Sequence, residues 1–127
     1  MNTPRPEIIE AEIDSAQAIY GVKEGRTFII VDRKLSSVEK RCAIAHELGH
    51  DEHASLLNEL DPRSESERMV NRRVEYRADK WAALNLIPQA ELEEYLSKQE
   101  TVNAYDLAEH FEVTEEVAEF RMRLSRL

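Results

Sequence analysis

Ala45-His46-Glu47-Leu48-Gly49-His50 decides how the rest of this chain is read. A His-Glu-x-x-His spacing inside a helical run sets two imidazoles one turn apart on one face. Four residues of α-helix advance about 6 Å and return to nearly the same side, so both rings reach one metal ion. Glu47 falls beside that ion and not on it. A carboxylate there can accept a proton from a water whose pKa zinc lowers to about 7, which gives a hydroxide nucleophile at neutral pH. The spacing therefore predicts hydrolysis of a peptide bond, with His46 and His50 as zinc ligands and Glu47 as the catalytic base.

Outward from the motif, Ser36 followed by Glu39 reads as a capping box, which starts the helix about ten residues before His46. Catalytic zinc takes three protein ligands, so a third is needed. His53 does not serve: it lies about 10.5 Å of helix rise beyond His46, too far to share an ion with bonds near 2 Å. The next histidine after His53 is His110. A glutamate from a second helix remains. Val74 to Ala82 offers Glu75 and Asp79 at i and i+4, with Ala78 and Ala82 small enough to let that helix approach the first. Glu75 is then the third ligand. Asp79 is the acceptor for a ligand histidine N–H, fixing the tautomer and raising the basicity of the ring. Glu65 and Glu67 are rival ligands, in a segment from Asp61 to Glu67 that reads as a polar loop.

These residues resemble those of the ImmA/IrrE family of metallopeptidases, many of them encoded by phages or mobile elements. Arg26-Thr27-Phe28-Ile29-Ile30-Val31-Asp32 is similar to the family's strand before the active helix. Leu35-Ser36 through His50, with Arg41, is similar to the helix itself. Glu75 to Pro88 follows a Glu-x-x-Ala-Asp-x-aromatic-Ala pattern ending in Leu86-Ile87-Pro88. The resemblance implies a zinc-dependent, gluzincin-like endopeptidase fold. It also implies a protein substrate, a helix-turn-helix transcriptional repressor that is cleaved or inactivated so that silenced genes are switched on. In such a fold a short sheet packs on the active helix, and its edge can hold an extended peptide.

Composition bounds the rest. The chain has 127 residues, 42% of them hydrophobic, enough for an independent core. A single cysteine excludes an internal disulfide framework. Cys42 is spaced with Val38, Ala45 and Gly49 for the buried side of the helix and reads as a small core residue. The start Met1-Asn2-Thr3-Pro4-Arg5-Pro6 lacks the pattern of a secretory signal, and no run of 18 apolar residues occurs. A cytoplasmic protein with no membrane partner is expected. The net charge of −9 disfavours direct binding to nucleic acid, which needs a basic patch, and is compatible with a basic protein partner.

Along the remaining chain, Ile9, Ile13, Ala16 and Tyr20 fall at helical spacing and predict a first helix over 6–20, ended by Gly21. Phe28 to Val31 reads as a strand. It needs a partner, either Ile19 to Lys23 or another segment. Gln89 to Lys98 and Asn103 to Phe111 predict short amphipathic helices, and a last helix runs through Leu124. The spacing from Leu107 to Val117 looks like a helix-turn-helix, turning at Glu112-Val113 with Thr114 as N-cap. Glu115 and Glu116 open its second helix where a DNA reader would place phosphate contacts, so packing or repressor docking is expected of it. Trp81 reads as a core aromatic and His110 as a surface or capping residue. Tyr76, His53 and Arg72 are candidates to steady the developing oxyanion, with no choice among them.

The expected fold is α+β: a mainly helical zincin-like core with a small short-stranded sheet over 1–88, and a C-terminal helical extension over 89–127 packed on it. Two functions compete. One is a zinc endopeptidase acting on a repressor. The other is a non-catalytic antirepressor that sequesters the repressor; an intact Glu47 favours the enzyme, because a pure binder needs no general base.

Overall fold

The computed structural model describes residues 5–52 and 65–127, with the side chains of 65–71 outside that description. The fold is α+β. Three strands, β1 (Glu7–Ala11), β2 (Ala18–Lys23) and β3 (Arg26–Asp32), form one sheet in the order β1-β3-β2. Among the described residues five helices follow: α1 (Ser37–Glu52), α2 (Glu65–Leu86), α3 (Gln89–Ser97), α4 (Ala104–Phe111) and α5 (Glu115–Leu124). Among the described residues no helix is long and apolar enough to cross a membrane.

The sheet corrects the expectation of a first helix over 6–20. Ile9 lies in β1 and Tyr20 in β2, so the apparent helical stripe is shared between two strands and the segment joining them. Pairing with a buried strand overrides local spacing here. β3 buries Ile29 and Val31 completely, and it can satisfy its backbone only between two neighbours. β1 supplies one, running parallel with Ile8 opposite Ile29 and Ile9 opposite Ile30. β2 supplies the other, antiparallel, with Tyr20 opposite Ile29; this is the partner segment from Ile19 to Lys23. Glu24 at φ 52° and Gly25 at φ 77° make the two-residue turn between β2 and β3. Both left-handed positions match the mirror-image turn whose twist suits a hairpin, and Gly25 adopts its angle without Cβ strain.

The face of the sheet bearing Ile29 and Val31 packs on α1 through Ala43, with Leu35, Ile44 and Leu48 around it. The capping box is present in both halves: the Ser36 N–H donates to Glu39 Oε1 at 3.0 Å and the Glu39 N–H to Ser36 Oγ at 3.1 Å. At the far end of α1 the Tyr20 hydroxyl donates to Asp51 at 2.7 Å, which ties β2 to the last turn.

α2 starts at Glu65, so Glu65 and Glu67 lie on its first turns and not in a polar loop; Asp61 to Ser64 lie outside the described residues. α2 runs antiparallel to α1, since His50 meets Glu75 and His46 meets Asp79. The approach is close. A Cβ placed on Gly49 would sit 2.7 Å from the Ala78 carbonyl oxygen and 2.8 Å from its Cα. Gly49 and Ala78 therefore set the distance between the two helices.

The C-terminal helices share a core with both. Cys42 and Ile87 join Leu92, Tyr95, Leu107, Phe111 and Ala118 in one buried cluster, and Cys42 is the small core residue its spacing predicts. Asn103 and Thr114 cap α4 and α5, accepting the backbone N–H groups of Asp106 and Val117. Glu112, at φ 56°, ends α4 in the left-handed region. Arg121 is buried: its guanidinium donates to the Ile87 carbonyl at 2.8 Å, to Gln89 at 2.7 Å and to Ser125 Oγ. Arg41 reaches from α1 to the carbonyls of Phe111 and Glu112 at 2.6 and 2.8 Å. Trp81 differs from expectation. It is half-buried and lines an open apolar groove with Ile44, Leu48 and Leu86, where α1 and α2 meet.

Candidate metal centre

Two helices deliver the site. On α1, His46 and His50 project one turn apart toward α2; on α2, Glu75 and Asp79 do the same toward α1. His46 Nε2 lies 3.0 Å from His50 Nε2 and 2.9 Å from Glu75 Oε2, and His50 Nε2 lies 3.0 Å from Glu75 Oε1. The ligating atoms of His46, His50 and Glu75 all fall within 4.8 Å of one another, close enough to bind one ion. Atoms bound about 2.0–2.1 Å from a tetrahedral ion stand about 3.3 Å apart, so the observed spacing needs only a few tenths of an ångström of adjustment.

Asp79 sits behind the first histidine. His46 Nδ1 donates to Asp79 Oδ1 at 2.7 Å, which holds the proton on Nδ1 and directs the Nε2 lone pair at the point shared with His50 and Glu75. Two imidazoles and a carboxylate are one of the recurrent three-ligand sets of catalytic zinc. The residues fit such an ion. His50 is buried, and among the described residues its Nδ1 has no hydrogen-bond partner.

Electrostatics follow from the same contacts. Burial alone would lower His46, but the hydrogen bond and charge of Asp79, with Glu75 and Glu47 behind it, outweigh burial and raise its pKa to about 9. Burial lifts Glu47 to about 7, with Glu75 adding to the rise and His46 opposing it. Burial and the neighbouring His46 cation hold His50 below its ordinary value, against the pull of Glu75. These shifts describe the side chains alone; a bound dication reverses the balance by favouring the deprotonated form of each.

His46, Glu47 and Asp79 open onto a cleft of about 750 Å³, within the range of about 300–1,000 Å³ usual for ligand sites. One wall is the start of β2 at Ala18 and the other is α5, through Val117, Phe120 and Arg123. The α5 residues were not anticipated. They lie about 70 positions from the motif, and their one sequence signal is that 117 and 120 share a helix face. Tyr76 and Arg72 are not on the wall of the cleft. The Tyr76 ring instead packs on Phe120, centroids 5.6 Å apart, and it projects away from Glu75 as neighbouring helical residues must. His53 lies outside the described residues, as do the side chains of Glu65 and Glu67. His110 is exposed at the last turn of α4 and stacks on Tyr95 at 4.5 Å.

Among known families, the family model described as the IrrE N-terminal-like domain, Peptidase_M78, matches residues 9–123. No curated protein matches the chain.

Proposed function

The chain belongs to this peptidase family, and from that premise we propose that it is a zinc-dependent endopeptidase that cleaves a helix-turn-helix repressor and so relieves repression. The observation that carries the chemistry is the convergence of His46, His50 and Glu75 on one point with Glu47 beside it on the cleft wall. In this reading His46, His50 and Glu75 hold the ion and Asp79 orients His46. Residues 1–88 form the catalytic core and 89–127 an extension packed on it. A zinc ion held there supplies a Lewis acid and lowers the pKa of water to about 7.

The chain's own groups do the rest. Glu47 accepts the proton of the attacking water and returns it to the leaving amine, the two transfers a general acid–base carboxylate beside the ion performs. Ala18, at the start of edge strand β2, borders the cleft, where an extended peptide can add as a further strand. The partner is a basic, DNA-binding protein, which suits a chain of net charge −9, and both would meet in the cytoplasm.

Glu47→Gln tests the proposal. It preserves shape and polarity and cannot accept a proton, so zinc content should stay at one per chain while cleavage of a repressor, followed by mass spectrometry, falls by about 10²–10⁴-fold. If Glu47→Gln relieves repression in a reporter strain as well as the parent chain does, proteolysis is not the working mechanism and sequestration replaces it.

A further inference from the structure

The faces of α1 and α2 that bear His46 and Asp79 continue one turn further as residues without bulk. Cys42 and Ala43 precede His46 by four and three positions, and Ala82 and Ala83 follow Asp79 by three and four. All four are buried, at 8% exposure or less, and all four line the cleft. Beside His46 and Asp79, about 5 Å along the helices, the cleft therefore has an apolar floor where long side chains would have filled it. The Thr114 N–H on the same cleft is engaged, pointing at Cys42 Sγ at 3.4 Å.

The wall over this floor is α5. Val117 and Phe120 face the cleft; the Phe120 ring is held from outside by Tyr76 and, along the cleft wall, by Arg123, whose guanidinium carbon lies 5.6 Å from the ring centroid. A ring fixed by an aromatic and a cation offers its remaining surface to the cleft at little entropic cost.

We propose that Phe120 and Val117 are specificity-determining residues, and that they select a substrate with an uncharged side chain of leucine or phenylalanine size next to the scissile bond. Resting on the peptidase reading above, this makes α5 part of the substrate site. One helical turn from Glu47 corresponds to between one and two residues of an extended peptide at about 3.3 Å each. The side chain that lands on the floor is therefore the one flanking the bond to be cut. Cys42, Ala43, Ala82 and Ala83 offer a charged side chain no partner, so on this floor it would lose its hydration and could be paired only by reaching Glu39, Glu116 or Arg123 elsewhere on the cleft.

Two selections on one randomised peptide library test this, both with the zinc-loaded full chain. Cleavage products of the parent protein are sequenced by mass spectrometry, and peptides retained by Glu47→Gln are sequenced separately. We expect leucine or phenylalanine beside the cut to be favoured over alanine or lysine by about 10-fold or more in kcat/KM. Phe120→Ala should flatten that preference by about 10-fold, and Val117→Phe should shift it toward alanine and serine. Two variants that act in opposite directions separate a lost contact from a damaged fold. Cleavage with no side-chain preference, or with a preference indifferent to both variants, overturns the pocket and leaves the peptidase standing. Retention of apolar peptides that responds to both variants, with no cleavage by the parent, supports the pocket and overturns the peptidase. Neither cleavage nor apolar retention overturns both.

Discussion

The two buried clusters of this protein differ in how far along the chain they reach. The cluster under the sheet gathers Ala18, Ile29, Val31 and Ala43, all within one short stretch of sequence. The helical cluster gathers Cys42 with Ile87, Leu92, Leu107, Phe111 and Ala118, across most of the chain. α1 belongs to both: Ala43 faces the sheet and Cys42, its neighbour, faces the helices. The first cluster sets α1 against the start of β2, and the second sets it against α5, so the two walls of the cleft are held by separate cores. The metal-centre residues lie on the seam between α1 and α2, where Gly49 meets Ala78.

Breaking the seam should cost most. Gly49→Val places a side chain where backbone atoms of Ala78 stand at 2.7 and 2.8 Å; backbone cannot swing aside as a flexible side chain would, so the helices must part. We expect a loss of about 3 kcal/mol or more in chemical denaturation, together with loss of zinc binding, because Glu75 and Asp79 flank Ala78. Full zinc content in a folded Gly49→Val protein would show that the seam does not position the ligands.

Matched truncations sharpen the contrast between the clusters. Leu107 and Ile29 are both fully buried, and Leu107→Ala and Ile29→Ala should each cost about 2–5 kcal/mol. Leu107→Ala should fall toward the upper end, since its neighbours come from several helices that cannot all close on one cavity. It should also change peptide selection more than zinc affinity, because its cluster supports the α5 wall. If both variants weaken zinc equally at matched fractions folded, the division of labour between the cores is wrong. A smaller effect belongs to the seam again: Asp79→Ala should lower zinc affinity by about 10–100-fold as His46 loses its Nδ1 partner. Calorimetric titration indistinguishable from the parent would remove Asp79 from the site.

Reach along the chain also explains what could be read in the sequence. The capping box at Ser36 and Glu39, the two histidines and the Glu75–Asp79 pair are each defined within four or five residues of helix, where spacing alone fixes the face. Thr114 and Glu112 were legible for the same reason, as turn chemistry acts locally. β1 and β2 were not. Their pairing partner is β3, and without it Ile9, Ile13, Ala16 and Tyr20 satisfy a helical period as well as any true helix would. Trp81 was misjudged because hydrophobicity indicates a preference for burial, while the packing of α2 on α1 decides how fully a side chain at their junction is covered. Val117 and Phe120 reach the cleft only through the assembly of the helical cluster, which no local pattern encodes.

β1 has a consequence for how copies of this protein behave toward each other. It is an edge strand, and Ile8 and Ile9 at its centre are 44% and 39% exposed, a surface on which a strand from another molecule could pair. Glu7 and Glu10 bracket them. Replacing both glutamates with valine would leave four consecutive uncharged residues with strong β preference, 7–10, on an open edge, the kind of composition from which fibrillar aggregates nucleate. Glu7, and Glu10 with its Lys40 partner, put charge on that edge, which disfavours pairing between copies of this protein.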